Sequence, residues 1–414
     1  MLKLLYNAAL FLFILLMLPK WLWELLRHRK HTRSLRDKLG LNPFTFTPTK
    51  PVIWIHSISV GETKAVAPLV ALIQEKVPHF SIVLSIITET GFEEAKRSLK
   101  NIAHTFYLPF DFSWIMRRLY RKLKPELLIL VEGDFWFNLI QDAPHVALVN
   151  GKLSEKSLAR FRAVPFFSKP LFRKLDLLCV QSDRFQERFK GLGVDEAKIV
   201  VTGNLKFDQP LPHSDKEVWQ KKLGLQPHDR VLVIGSTHET EEENLLTALN
   251  PLLQQFPNLK IVLAPRHPER FASIAALLKK QGIPFALFSQ GAPFGQLLLI
   301  DAMGVLAHAY QFAEIAIVGG SFVTHVGGHN IFEPAALGVP VLFGPYMEAQ
   351  KDLVELVVGA GAGRQVTLQE VAPTVSAWLR DPPVEMQRAG KALREAMHGA
   401  TLRTWEALEP LLRK

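Results

Sequence analysis

A succession of short apolar runs, none alternating with polar residues, constrains this chain more than any other feature. "VIWIHSI" (52–58), "SIVLSII" (81–87), "ELLILVE" (126–132), "HVALVN" (145–150) and "LLCVQS" (177–182) are separated by amphipathic segments such as "ETKAVAPLVALIQEKV". Unalternating β-rich runs of this length predict strands buried on both faces, hence parallel strands covered by helices. The pattern pauses at "FDQPLPHSDKEV" (207–218) and resumes as "RVLVIGS" (230–236), "KIVLAP" (260–265), "PFALFS" (284–289), "LLLID" (297–301), "EIAIVGGS" (314–321) and "PVLFG" (340–344). The last fifty residues read as helices. A length of 414 residues suits two domains. The expected fold is therefore α/β: two doubly wound domains facing a cleft, over 27–206 and 219–414, with a linker over 207–218. One sheet of ten or more strands is the poorer alternative.

Residues 1–26 stand apart. "LLYNAALFLFILLMLP" is apolar except for Tyr6 and Asn7, and "RHRKHTRSLRDK" follows as a dense basic segment. The run from Leu2 to Trp23 is long enough to reach across a hydrocarbon core of about 30 Å. Trp21 and Trp23 would lie at an interface, and the basic side should face the cytoplasm. No small-x-small cleavage site follows, so an uncleaved membrane anchor is expected rather than a signal peptide. The formal net charge of +10 suits an anionic partner. The single cysteine, Cys179, excludes an intrachain disulfide and reads as an inert core thiol.

In parallel sheets ligands bind beyond the carboxyl ends of the strands, so the strand-to-helix junctions carry the chemistry. In "GGSFVTHVGGHNIFEP", Gly327 and Gly328 would let backbone approach a phosphate, and a helix starting near Ile331 would offer free N–H groups. Glu333 could hold a ribose diol; Asn330 and Glu333 could equally form only a capping box. "APRHPER" sets Arg266 after a strand, where its fork suits phosphate or carboxylate. "DAMGVL" puts Met303 and Gly304 at another strand end, as a ligand contact or a tight turn. Glu241–Glu243 reads as surface charge complementing a helix dipole. In "HSISVGET", Glu62 is a candidate general base or, with Ser59, a capping box. "VEGDFWFN" places Glu132 and Asp134 at a strand end, and Lys206 of "TGNLKFD" begins the linker. His56, His267, His325 and His329 occupy separate loops, and H-E-x-x-H is absent, so no metal site is expected. No P-loop, dinucleotide fingerprint or G-x-S-x-G elbow occurs.

Taken in order, "HSISVGE", "NGKLSEKS", "TGNLKFD", "GSTHETEEE", "APRHPERF", "DAMGVL" and "GGSFVTHVGGHNIFEPAALGVPVLFGP" resemble the motif series of the 3-deoxy-D-manno-octulosonic acid (Kdo) transferases of Gram-negative lipopolysaccharide synthesis. The resemblance spans nearly the whole chain. It implies a GT-B fold of two Rossmann-like domains and inverting transfer from CMP-Kdo to a lipid A precursor. It implies no cofactor, no metal and no nucleic acid, and an anionic inner-membrane surface as partner, with the catalytic domains on its cytoplasmic face. Carried over, Glu62 matches the base, and Glu132 and Lys206 match transition-state supports. Pro265, Arg266, the turn Met303, Gly304 and Val305, and Asn330, Ile331, Phe332 and Glu333 match CMP-binding loops. The usual "ETELWPN" reads "EGDFWFN" here, leaving Asp134 without an inherited role, and Val305 stands where an acid is common. The rival readings are another GT-B sugar-nucleotide enzyme, such as a UDP-sugar transferase or epimerase, and a non-catalytic anchored glycolipid-binding protein.

Overall fold

The computed structural model describes residues 1–28, 35–40, 46–209, 215–291 and 295–412. It divides into two compact units, Met1–Gln209 with Met397–Lys414, and Pro210–Ala396. The central part of the expected linker, 210–214, and half of the basic segment, 29–34, lie outside the described residues.

The first unit is built on seven parallel strands: β1 (Val52–Ser57), β2 (Ser81–Ile86), β3 (His104–Tyr107), β4 (Pro125–Val131), β5 (Val146–Gly151), β6 (Leu177–Val180) and β7 (Ile199–Val201). Their order is β3-β2-β1-β4-β5-β6-β7. All six residues of β1 are buried, because successive side chains enter two different cores. Trp54 packs with Leu128, Leu130 and Leu148 on one face. Ile53 and Ile55 pack with Ile129, Val131 and Ala147 on the other. This two-sided burial is why the strand reads as an unbroken apolar run.

The second unit repeats the plan with β8 (Arg230–Thr237), β9 (Leu259–Pro265), β10 (Ala286–Leu287), β11 (Leu297–Leu299), β12 (Ile315–Val318), β13 (Val341–Phe343) and β14 (Gly363–Gln365). The order is β10-β11-β9-β8-β12-β13-β14, again parallel throughout. The strand order reverses direction between β1 and β4 in the first sheet and between β8 and β12 in the second. Those two points are where a doubly wound sheet opens a ligand crevice.

The expected domain 219–414 is corrected at its end. The helix Ala400–Leu412 belongs to the first unit, where Ala400, Trp405 and Leu408 complete the core around Ile53 and Leu69. Asp208 secures its start, accepting from the amides of Gly399 (2.7 Å) and Thr401. Arg403 donates to the Thr202 carbonyl at 2.9 Å. A helix's apolar stripe does not say which core it will cover, so the sequence-local reading kept it with its neighbours. Replacing Trp405 by Ala, at a site only 4 % exposed, should cost the first unit about 3–5 kcal/mol. Chemical denaturation followed through first-unit probes measures it.

Candidate active site

Glu62 lies in the first turn of the helix Val60–Lys76, directly after β1. Ser59 is the N-cap, and its hydroxyl accepts from the Glu62 amide at 3.5 Å. The Glu62 carboxylate turns back to accept from the Ile58 amide at 2.5 Å. This is a capping box displaced by one residue, so the structural role is real. It leaves the carboxyl chemically unusual. Burial raises its pKa, the Ile58 amide opposes that, and the charges of Glu132 and Asp134 raise it further.

Glu132 follows β4 in the left-handed backbone region, at φ 64°, and is buried. Such a backbone costs a non-glycine residue on the order of 1 kcal/mol and persists only where surroundings fix it. Here the Glu132 amide donates to the Val149 carbonyl and its own carbonyl accepts from Lys152, both at 2.9 Å. Its carboxylate is held by two ammonium groups, Lys206 at 2.7 Å and Lys152. The Asn150 amide also donates to it at 3.3 Å, while the Asn150 side-chain oxygen accepts from the Leu205 amide at 3.0 Å. Burial alone would push the Glu132 pKa up; the two lysines outweigh it and hold the carboxyl below its usual range. Glu132 and Lys206 are thus brought together, Glu62 lies near enough to feel the Glu132 charge, and Lys152 is a member that motif reading passed over.

Asp134 points elsewhere. It accepts from His56 Nε2 at 2.9 Å and from the Trp136 indole at 2.6 Å. His56 Nδ1 meets Ser85 Oγ at 2.9 Å, and that oxygen accepts from Trp54. The Glu-x-Asp pair therefore splits between a lysine clamp and a histidine relay. Among the described residues no group of three or more His, Cys, Asp or Glu could hold a metal.

In the second unit the loop after β12 is organised by a residue misread as surface charge. Glu241 and Glu242 are each 1 % exposed. Glu241 accepts from the amides of Gly320 (2.7 Å), Phe322 (2.8 Å) and His238 (2.9 Å). Glu242 pairs with Arg270 at 2.7 Å and accepts from Thr237. Of the acidic run only Glu243 is exposed. The role given to Gly327 and Gly328 also changes. Both have positive φ, but a Cβ at Gly327 would meet Ala349 at 3.0 Å and one at Gly328 would meet Met347 at 2.2 Å. The Gly328 amide is already donated to the Gly320 carbonyl. These glycines admit the segment 347–349, so close packing of chain against chain explains them.

The helix expected near Ile331 is one short turn, Phe332–Ala336. Asn330 precedes its cap, accepting from the Phe332 amide at 3.0 Å and donating to Glu333 at 3.3 Å. Ile331 and Phe332 are buried, whereas Asn330 and Glu333 are exposed. A ligand would meet the side chains of the latter pair and at most the backbone of the former. Pro265 closes β9, and exposed Arg266 follows it, its amide on the Thr237 carbonyl. Met303 is 59 % exposed, Gly304 has φ 82°, and Val305 is buried, so the turn after β11 offers Met303 and backbone. β11 stands three strands from β12, about 14 Å at ordinary strand spacing.

Of the histidines read as separate loop positions, His267 and His329 are joined through His238, whereas His56 lies within β1 of the first unit. His238 and His329 meet Nε2 to Nε2 at 2.7 Å, and His267 stands edge-on to His238 with ring centroids 5.1 Å apart. Burial, then His238 and Arg266, push His329 down to about 4. Two imidazole nitrogens at that distance form one hydrogen bond, and the lowered pKa of both rings favours the uncharged pair at neutral pH.

The first unit matches the family model described as 3-deoxy-D-manno-octulosonic-acid transferase over residues 33–209. The enzyme of that name from Chlamydophila psittaci is 35 % identical over 418 residues, covering 98 % of this chain and 95 % of the relative. The chain belongs to the Kdo transferase family. The Haemophilus influenzae Kdo transferase is 32 % identical, covering 93 % of each chain. In fold, this family member is similar to the UDP-GlcNAc 2-epimerase of Neisseria meningitidis, with a TM-score of 0.62 at 14 % identity, over 87 % of this chain and all of that one. That likeness establishes the GT-B type of architecture, as the motif series implied. The chain is accordingly a glycosyltransferase of lipopolysaccharide synthesis.

The paired imidazoles give a direct check. Nitrogen-detected NMR should place the His329 titration near 4, with a neutral ring at pH 7; titration at an ordinary value near 6.5 contradicts the burial of His329 against His238.

Proposed function

We propose that this chain transfers Kdo from CMP-Kdo to a hydroxyl of a lipid A precursor with inversion at the anomeric carbon, Glu62 acting as general base. The carrying observation is the raised carboxyl of Glu62 beside the doubly clamped carboxylate of Glu132. A carboxyl whose pKa is raised is the better base for a hydroxyl, provided the working pH still ionises it. Glu62 takes the hydroxyl proton, and the oxygen lone pair forms the new bond to the anomeric carbon. The bond from that carbon to the phosphate oxygen breaks, and its electron pair leaves with CMP.

Glu132, Lys152 and Lys206 together carry one net positive charge. That excess suits the carboxylate of the sugar or the departing phosphate, while the Glu132 carboxylate would favour oxocarbenium character at the anomeric carbon. The second unit takes the nucleotide at Pro265, Arg266, the Met303–Val305 turn and the Asn330–Glu333 segment. Arg266 supplies the fixed cation there. CMP-Kdo enters as donor substrate, and the scheme draws on no cofactor. The apolar helix Leu2–His28 supports work at the cytoplasmic face of the inner membrane, where a phosphorylated lipid acceptor resides.

Mass spectrometry of detergent-purified protein incubated with lipid A precursor and freshly generated CMP-Kdo tests the proposal. The lipid should gain Kdo, one CMP should appear per sugar added, and UDP-sugars should not substitute. CMP release without lipid modification, or turnover of a UDP-sugar, contradicts it.

A further inference from the structure

The amino-terminal helix meets every requirement of length and apolarity for crossing a bilayer. Its contacts oppose that reading. From Leu2 through Pro19 the partly covered residues are Leu2, Lys3, Tyr6, Asn7, Leu10, Ile14 and Met17, and the others are exposed. That spacing is a single helical stripe, and its amino-terminal part, Leu2, Lys3, Tyr6 and Asn7, is the part in contact with the first unit.

The stripe is held by polar chemistry at its amino-terminal end. Asn7 donates to Ser113 Oγ at 2.9 Å and accepts from the Ser113 amide (3.2 Å) and from Asn138 Nδ2 (3.0 Å). Tyr6 stands close enough to Asp111 for burial and that carboxylate together to raise its pKa, and stacks on Phe167 with centroids 5.8 Å apart. Lys3 pairs with Asp142 at 2.5 Å. Asp111 is fully buried and receives the amides of Asn138 and Leu139 at 2.8 Å. Withdrawing the helix would strip buried polar groups of their partners and carry Lys3, Tyr6 and Asn7 to the far interface.

A spanning helix puts its two ends on opposite sides of about 30 Å of hydrocarbon. This helix grips the first unit with the end that spanning would send furthest away. The outward face carries Leu4, Leu5, Phe11, Leu12, Leu15 and Leu16, all more than half exposed. Trp114 and Phe166, each next in sequence to a residue gripping the helix, are 59 % and 67 % exposed. Exposed Arg117, Arg118, Arg121 and Lys122 on the helix Ser113–Leu123 add a charge complement for anionic headgroups.

We propose that this helix does not cross the membrane: it lies along the first unit, with both ends on the catalytic side, and seats its outward apolar face in one leaflet. The proposal rests on the reading that the chain works at a membrane surface. It also ties that seating to the active-site loop, because Asn138 bonds Asn7 and lies just beyond Trp136 and Asp134.

The test uses the full chain with a cysteine appended ahead of Met1 and a membrane-impermeant maleimide. Native Cys179 is fully buried, with its thiol pushed up to about 12, and stays silent. The appended cysteine should label in inverted inner-membrane vesicles as a Glu126→Cys control does, and stay unlabelled in intact spheroplasts. In a second preparation, Asn7→Cys with Ser113→Cys should join through a short thiol cross-linker while membrane-bound. Labelling from the outside of spheroplasts, with no cross-link, overturns the in-plane helix but leaves the membrane reading standing. Recovery of the protein in the soluble fraction after detergent-free lysis overturns both.

Discussion

A carboxylate buried at the end of a parallel strand stays ionised only if cations or amides reach it, and Glu132 depends on two lysines from different segments of the chain. Lys152 comes from the loop after β5 and Lys206 from the one-turn helix beyond β7. The clamp therefore fixes the carboxyl ends of β4 and β5 and the point where the chain leaves the first sheet. The left-handed backbone of Glu132 and of neighbouring Asn150, at φ 53°, is held by the same contacts. Losing one lysine would leave a buried charge under-compensated, a much costlier state than losing a surface ion pair.

The second unit solves the same problem differently. At its switch point the buried carboxylate is Glu241, and its partners are the backbone amides of His238, Gly320 and Phe322. Burial still leaves its pKa raised despite those amides. An amide-held carboxylate adds no net positive charge; the lysine clamp of the first unit does. This difference matches the division of labour proposed for the two units. On that proposal negative charge builds on the departing phosphate, where an excess cation helps. The nucleotide site proposed for the second unit needs mainly a loop of fixed shape, with Arg266 as its proposed cation.

Much of this architecture was legible because burial on both faces forces an unmistakable pattern, as in "VIWIHSI" and "RVLVIGS". The edge strands β3, β7 and β14 were not read: "HTFY", "IVV" and "GRQ" are short, and two of them carry polar or charged residues. Glu62, Glu132 and Lys206 were singled out through motifs, and the first unit pairs the latter two. Glu241 was mistaken for surface charge because two of the three amides it serves, those of Gly320 and Phe322, lie 79 and 81 residues downstream. Gly327 and Gly328 were credited to phosphate for a similar reason: the Met347 and Ala349 atoms that exclude a Cβ come from a later loop. Local sequence records the propensity of a segment, and these roles arise from what the fold lays against it.

The pH dependence of acceptor-driven CMP release, measured for the unaltered enzyme and for Glu62→Gln, tests the chemistry most directly. If Glu62 is the base, the rate rises with pH through an apparent pKa above the ordinary glutamate value of about 4.3 and then levels. Glu62→Gln should lose that limb together with nearly all turnover, while still binding CMP. A variant that keeps near-normal turnover with the same ascending limb would contradict the assignment.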